Sequence, residues 1–153
     1  GEYHFAYFDR FVDLAEARGI TLLPYIAYAP RWAVADDGPE YWKHPPKDPA
    51  MFGRFCGVVA ARYAGRVATW ELWNEPDNTE FFAGTIADFA AMLRAGAAAV
   101  RAADPRAKVV LGGVAWNAWY VNELFKNHAA SDHCDIVNAH NYYETWVDHP
   151  VET

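Results

Sequence analysis

Hydrophobic positions along the chain switch between a helical period and continuous apolar runs. Phe8, Phe11, Val12 and Ala15 fall at i, i+3, i+4 and i+7, which predicts an amphipathic helix that Gly19 can end in a left-handed turn. Residues 20–27 are almost entirely apolar and predict a first strand. Pro, Gly and charged residues mark a long loop over 36–49, which holds Trp42 and His44. Asp48 and Pro49 open the next helix, with Pro at its first position. Its stripe is the clearest in the chain, Phe52, Phe55, Cys56, Val59, Ala60 and Tyr63, closed by Gly65. A second strand is predicted over 66–74. Thr85 with Asp88 then resembles a capping box, with Asp in the place of the usual Glu or Gln. The helix that follows runs through Phe89, Met92, Leu93, Gly96, Ala97 and Val100. Residues 108–114 predict a third strand, 120–128 a shorter helix and 135–140 a fourth strand.

Helix followed by strand, repeated four times with continuous apolar strands, indicates a parallel sheet with helices outside it. A doubly wound sheet and part of a (β/α)8 barrel both satisfy that order. A dinucleotide site would need G-x-G-x-x-G at a strand-to-helix turn; Gly112-Gly113 does not supply it, and no P-loop is present, so nucleotide binding is disfavoured. The 153 residues make one domain with enough chain for a sizeable core. No apolar run approaches the roughly 20 residues of a membrane-spanning helix, so no membrane partner is expected. No basic stretch followed by an apolar run marks a secretory leader. The net charge of −7, with 13 scattered Lys and Arg, argues against nucleic acid as a partner. Cys56 and Cys134 are too few for a disulfide scaffold and lack metal-ligand spacing, so two free thiols are expected. Seven Trp and nine Tyr in an acidic chain point to stacking surfaces as well as a core.

The polar and aromatic residues gather just after each strand: Arg31-Trp32, Asn74-Glu75, Trp116-Asn117 and His140-Asn141-Tyr142. In a β/α barrel those positions converge on the rim where active sites form. Within Trp70-Glu71-Leu72-Trp73-Asn74-Glu75-Pro76-Asp77, Glu75 stands at the rim and Pro76 ends the ladder. Apolar rings beside Glu75 would disfavour its ionised form, as a general acid requires, and Asn74 offers an amide suited to a sugar hydroxyl. Glu71 shares strand parity with Glu75 and is expected to be an inward structural carboxylate paired to an Arg. Trp70 and Trp73 are expected in the core or pocket wall. The residues Asp132, His133 and Asp135 could imitate a metal site, but they precede a strand, at the wrong end of a barrel; no metal is expected.

The run W-N-E-P at a strand end resembles the acid/base signature of the retaining (β/α)8 glycoside hydrolases of clan A. Residues 70–77, together with Pro30-Arg31-Trp32-Ala33 and Ala139-His140-Asn141-Tyr142, are most similar to the family of β-xylosidases and α-L-iduronidases. The resemblance covers nearly the whole chain. It implies an incomplete TIM barrel of about four parallel strands with flanking helices, matching the third to sixth strands of the full barrel. It implies Glu75 as acid/base and Asn74 as the contact to the sugar 2-hydroxyl, with His140, Tyr142, Arg31, Trp32 and Trp116 lining the subsite of a β-linked carbohydrate. No cofactor is implied. The family sets its nucleophilic Glu after the seventh strand; Glu144 is the candidate second carboxylate in this chain. Resemblance alone favours a secreted or periplasmic location. Open sheet edges would favour pairing with a second copy, and a binding or self-assembling half-barrel without turnover is the alternative reading.

Overall fold

The computed structural model describes residues 2–115 and 117–141. Four strands, β1 (Tyr25–Ile26), β2 (Thr69–Asn74), β3 (Lys108–Val114) and β4 (Ile136–Ala139), form one sheet in the order β1-β2-β3-β4, and every pairing is parallel. The helices are α1 (Ala6–Glu16), α2 (Pro49–Arg62), α3 (Ile86–Ala103) and α4 (Ala118–His128). Strands in sequential order with right-handed crossovers place every connecting helix on one face, whereas a doubly wound sheet requires the order to reverse. The chain is therefore part of a (β/α)8 barrel.

Local chemistry fixes these elements. Gly19 and Gly65 sit at φ +64° and +76°, the left-handed turns that close α1 and α2. Asp48 caps α2 by accepting the Ala50 N–H at 2.9 Å, with Pro49 at the first helical position. The capping box of α3 is complete: Thr85 Oγ1 accepts the Asp88 N–H at 3.1 Å, and Asp88 Oδ2 accepts the Thr85 N–H at 2.8 Å. Asp serves in place of Glu because its shorter arm still spans the distance. Both cysteines are free, Cys56 buried and Cys134 half-buried.

Two strands are shorter than the apolar runs that announce them. Of residues 20–27 only Tyr25–Ile26 pair, because β1 is an edge with one neighbour and Pro24 has no N–H to donate. Arg66 and Val67 belong to the turn after α2, where both N–H groups donate to the Tyr63 carbonyl, so β2 starts at Thr69.

The core lies between sheet and helices. Leu72, Trp73, Phe89, Leu93, Val100, Leu111 and Leu124 are fully buried. Helices α2 and α3 pack closely, since a Cβ on Gly53 would lie 2.8 Å from the Ala95 carbonyl oxygen. Both sheet edges remain apolar and exposed: Ile20, Leu23 and Tyr25 on the β1 side, Ile136 and Val137 on the β4 side. Phe8, Phe11 and Tyr7 of α1 continue the first patch into a cavity of about 480 Å³ lined also by Phe55, Tyr63 and Trp70.

Strand β4 is held at its start by Asp135. Its carboxylate accepts the Val109 N–H at 2.8 Å and lies 3.4 Å from Arg101, while its own N–H donates to the Val109 carbonyl at 2.7 Å. The Val109 hydrogen bond, and after it Arg101, hold this carboxyl below the ordinary Asp value. A depressed folded value gives stability that is present above the unfolded value, near pH 4, and is lost as the pH falls through the folded one. Asp135→Asn is expected to cost about 2 kcal/mol at pH 7 and to flatten the loss of stability below pH 4. Urea unfolding at pH 7 and pH 3 measures both effects; an unchanged pH dependence in the variant would refute the assignment.

Candidate active site

The end of β2 departs from regular strand geometry. Trp73 sits at φ +78° and Glu75 at φ +44°, left-handed conformations that non-glycine residues adopt at a cost of order 1–3 kcal/mol each. Close packing accompanies the first. The Trp73 ring is wedged edge-on against Tyr28 (5.6 Å), Phe52 (6.0 Å) and Phe82 (5.5 Å), and its Nε1 donates to the Phe81 carbonyl at 3.1 Å. The second follows from the turn at Pro76, where the Glu75 N–H donates to the Gly113 carbonyl at 2.9 Å and the Glu75 carbonyl accepts the Asn78 N–H at 3.0 Å.

The Glu75 carboxyl group has two polar partners. Oε1 lies 2.7 Å from His140 Nδ1, and Oε2 accepts the Asn78 amide at 2.9 Å. Glu75 is 7% exposed. Trp73 and Trp70 are in the core as expected, Trp73 facing Phe52 and Phe82 and Trp70 facing Tyr63 at 6.2 Å. Among the described residues, His140 and Asn78 hydrogen-bond the Glu75 carboxyl group. The imidazole can donate to the ionised carboxylate or accept from the neutral acid. A group that gives and later takes back one proton passes through both states.

Asn74 Nδ2 donates to the Tyr28 hydroxyl at 3.3 Å. Burial is the main cause that raises the Tyr28 hydroxyl above the ordinary tyrosine value, so it stays protonated at neutral pH with its own hydrogen left to donate. Trp42 stands edge-on to Tyr28 at 5.0 Å, and the Ala29 N–H donates to the Trp42 carbonyl. The loop after β1 thus meets the end of β2. Asp77 ties in the third loop, its two carboxylate oxygens accepting the N–H groups of Ala115 (2.8 Å) and Asn117 (3.0 Å).

Of the residues singled out in the sequence, Glu75, Asn74 and His140 come together. Arg31 and Trp32 lie in a 3-10 turn at Arg31–Ala33. Arg31 donates to the Asp37 carbonyl and lies over the Tyr41 ring at 4.2 Å, while Trp32 is 71% exposed. No hydrogen bond or ring contact links either to Glu75 or Asn74 among the described residues. Trp116, Tyr142 and Glu144 lie outside the described residues. Glu71 is buried as expected, but its partners are not arginines. Its Oε1 accepts the Gly113 N–H at 2.5 Å and the Asn138 amide at 3.1 Å, so a backbone donor and a neutral side chain take the role assigned to a cation.

Asn78, Tyr28, Asp77 and Asn138 complete the site without having been singled out for it. Asn78 had a local signal, since it follows Glu75 by three residues across a Pro turn. Tyr28 and Asn138 had none, because their roles depend on contacts between strands.

The family model for glycosyl hydrolases family 39 matches residues 1–149. A glucosidase from Croceicoccus marinus superimposes with a TM-score of 0.72 at 25% identity, over 90% of this chain and 29% of its own. A family 39 glycoside hydrolase from Bacteroides cellulosilyticus WH2 gives 0.74 at 21% identity, over 95% of this chain and 30% of its own. A monomeric β-xylosidase from Caulobacter crescentus CB15 gives 0.66 at 21% identity, over 92% and 31%. The last two establish fold alone. The chain spans about 30% of the length of these structures. No curated protein matches it.

Proposed function

The chain belongs to glycosyl hydrolases family 39, and from that premise we propose that it carries the acid/base half of a retaining β-glycosidase site, with Glu75 as the proton donor. The observation that carries this reading is the Glu75–His140 contact at 2.7 Å beside Asn74, at the C-terminal ends of parallel strands. Glu75 gives its proton to the glycosidic oxygen as the bond to the anomeric carbon breaks. In the second half-reaction it takes a proton from the attacking water. Asn78 keeps one oxygen of the carboxyl group fixed, and His140 compensates the other in both states. Asn74, oriented by the Tyr28 hydroxyl, holds the sugar 2-hydroxyl. Arg31, Trp32, Trp116 and Tyr142 line the remainder of the subsite, and the substrate is a β-xyloside or β-glucoside.

A retaining reaction needs a second carboxylate about 5–5.5 Å from the first. Glu71 is already committed to Gly113 and Asn138, so Glu144 or a residue of another polypeptide segment supplies it. Release of nitrophenol from aryl β-xylosides and β-glucosides, with proton NMR of the first-formed anomer, tests the reading. Turnover with retained configuration is the expected result. Binding of xylo- or cello-oligosaccharides without turnover would replace it by the reading of a carbohydrate-binding half-barrel.

The exposed apolar residues of both sheet edges favour self-association. Two copies related by a two-fold axis place β1 of each beside β4 of the other and close eight parallel strands. Light scattering is expected to give twice the 17.2 kDa of the chain. A monomeric mass in which Tyr25→Lys changes nothing would refute the pairing.

A further inference from the structure

The backbone of Gly113 joins two buried glutamates, Glu71 within β2 and Glu75 just past its end. Its N–H donates to Glu71 Oε1 at 2.5 Å, and its carbonyl accepts the Glu75 N–H at 2.9 Å. The Lys108 N–H donates to the Ala68 carbonyl of the β2 side, so in a regular ladder, where successive residues turn their N–H to alternate sides, the Gly113 N–H faces β4. The carboxylate of Glu71 takes that N–H instead. On the β4 side the pairing of β3 shifts register between Leu111 and Val114. Asn138 of β4 reaches across the shift to both oxygens of Glu71, at 3.1 and 3.3 Å. His140, two residues further, donates its backbone N–H to the Val114 carbonyl at 2.8 Å.

The His140 ring occupies the space over Gly113. A Cβ there would collide with His140 Nε2 and come within 2.9 Å of Glu71 Oε1. Gly113 is thus the floor on which the imidazole rests, and Glu71 anchors that floor.

We infer that Glu71 is a positioning residue: its carboxylate, held by Asn138, fixes the backbone on both sides of the Gly113 Cα and through it sets the Glu75 backbone and the His140 ring in register for their contact. This deepens the acid/base reading of Glu75 but concerns a geometry that exists without substrate. Three strands converge on one carboxylate, so its removal frees Gly113 to follow a different path past the bent end of β2.

The test is the proton shared by His140 and Glu75, followed as a low-field resonance in the NMR spectrum of the full chain. Its loss in Glu75→Gln assigns it. Glu71→Ala is expected to abolish the resonance or speed its exchange with water at least about tenfold, the size of effect that one lost buried hydrogen bond produces. Glu71→Gln is expected to keep it, because the amide oxygen still accepts the Gly113 N–H. Asn138→Ala is expected to speed exchange by a smaller factor with an unchanged circular dichroism spectrum. Wild-type exchange in a folded Glu71→Ala overturns the inference. If Glu71→Ala does not fold, wild-type exchange in Asn138→Ala overturns it. Absence of glycoside turnover would defeat the acid/base reading and leave this result standing.

Discussion

Glu75→Gln is expected to lower kcat/KM for β-glycosides with poor leaving groups by about 10² to 10⁴, the range supplied by a positioned general acid. The substitution keeps shape. A glutamine oxygen can still accept the Asn78 amide, and its NH₂ can donate to His140 Nδ1, so both contacts of the carboxyl group are matched. What disappears is the transferable proton. Its loss matters in proportion to how badly the departing oxygen needs it. A dinitrophenolate leaves without protonation, so the formation of the glycosyl-enzyme from such a substrate is expected to change little. An alkyl glycoside or an oligosaccharide bears the full penalty. The second half-reaction still lacks its base, and azide, which needs none, is expected to restore turnover with the activated substrate. A uniform loss across leaving groups would assign Glu75 a structural role.

Sequence and structure agree most closely where the information is local. The stripes of α2 and α3, the Asp48 and Thr85 caps and the end of β2 at Asn74 follow from spacing and from residues that act within one turn of themselves. The strand-end placement of Glu75 and Asn74 was legible for the same reason, at the close of an apolar run broken by proline. His140 was legible as a strand-end residue, but its contact with Glu75 was not, since that pairing spans 65 positions and depends on the register of three strands. The partner of Glu71 was misread on the same ground. Sequence shows that an inward carboxylate needs donors; it does not show that a register shift between β3 and β4 leaves a backbone N–H to be one. The length of β1 was overread because apolarity marks burial, and the pairing of an edge strand depends on its single neighbour. Asn78 and Tyr28 went unnoticed because each acts on another side chain.

Trp73→Ala is expected to destabilise the chain by about 3–5 kcal/mol, the cost of deleting a large buried aromatic. That is a large part of the 5–15 kcal/mol that holds a typical domain together, and it corresponds to a Tm lower by roughly 10 °C for a chain of this size. The indole is 0% exposed, meets three other rings and has its N–H satisfied at the Phe81 carbonyl. Area alone does not describe its role, because the ring stands on a residue at φ +78°. A comparison of two truncations separates the effects. Both Trp73→Ala and Trp73→Gly lose the ring, so both bear the cavity. In an ordinary strand glycine is the worse of the two by roughly 0.5–1 kcal/mol, owing to its larger loss of backbone freedom. At a left-handed position alanine carries a steric penalty that glycine escapes. Trp73→Gly is therefore expected to unfold at the same or a higher urea concentration than Trp73→Ala. The opposite order would mean that the backbone at residue 73 relaxes once the ring is gone. In that case the bend that leads into Glu75 is imposed by the tryptophan side chain alone. The expected order means instead that the neighbouring turn at Pro76 and the Glu75–Gly113 hydrogen bond hold the bend, and that the ring fills the space the bend creates.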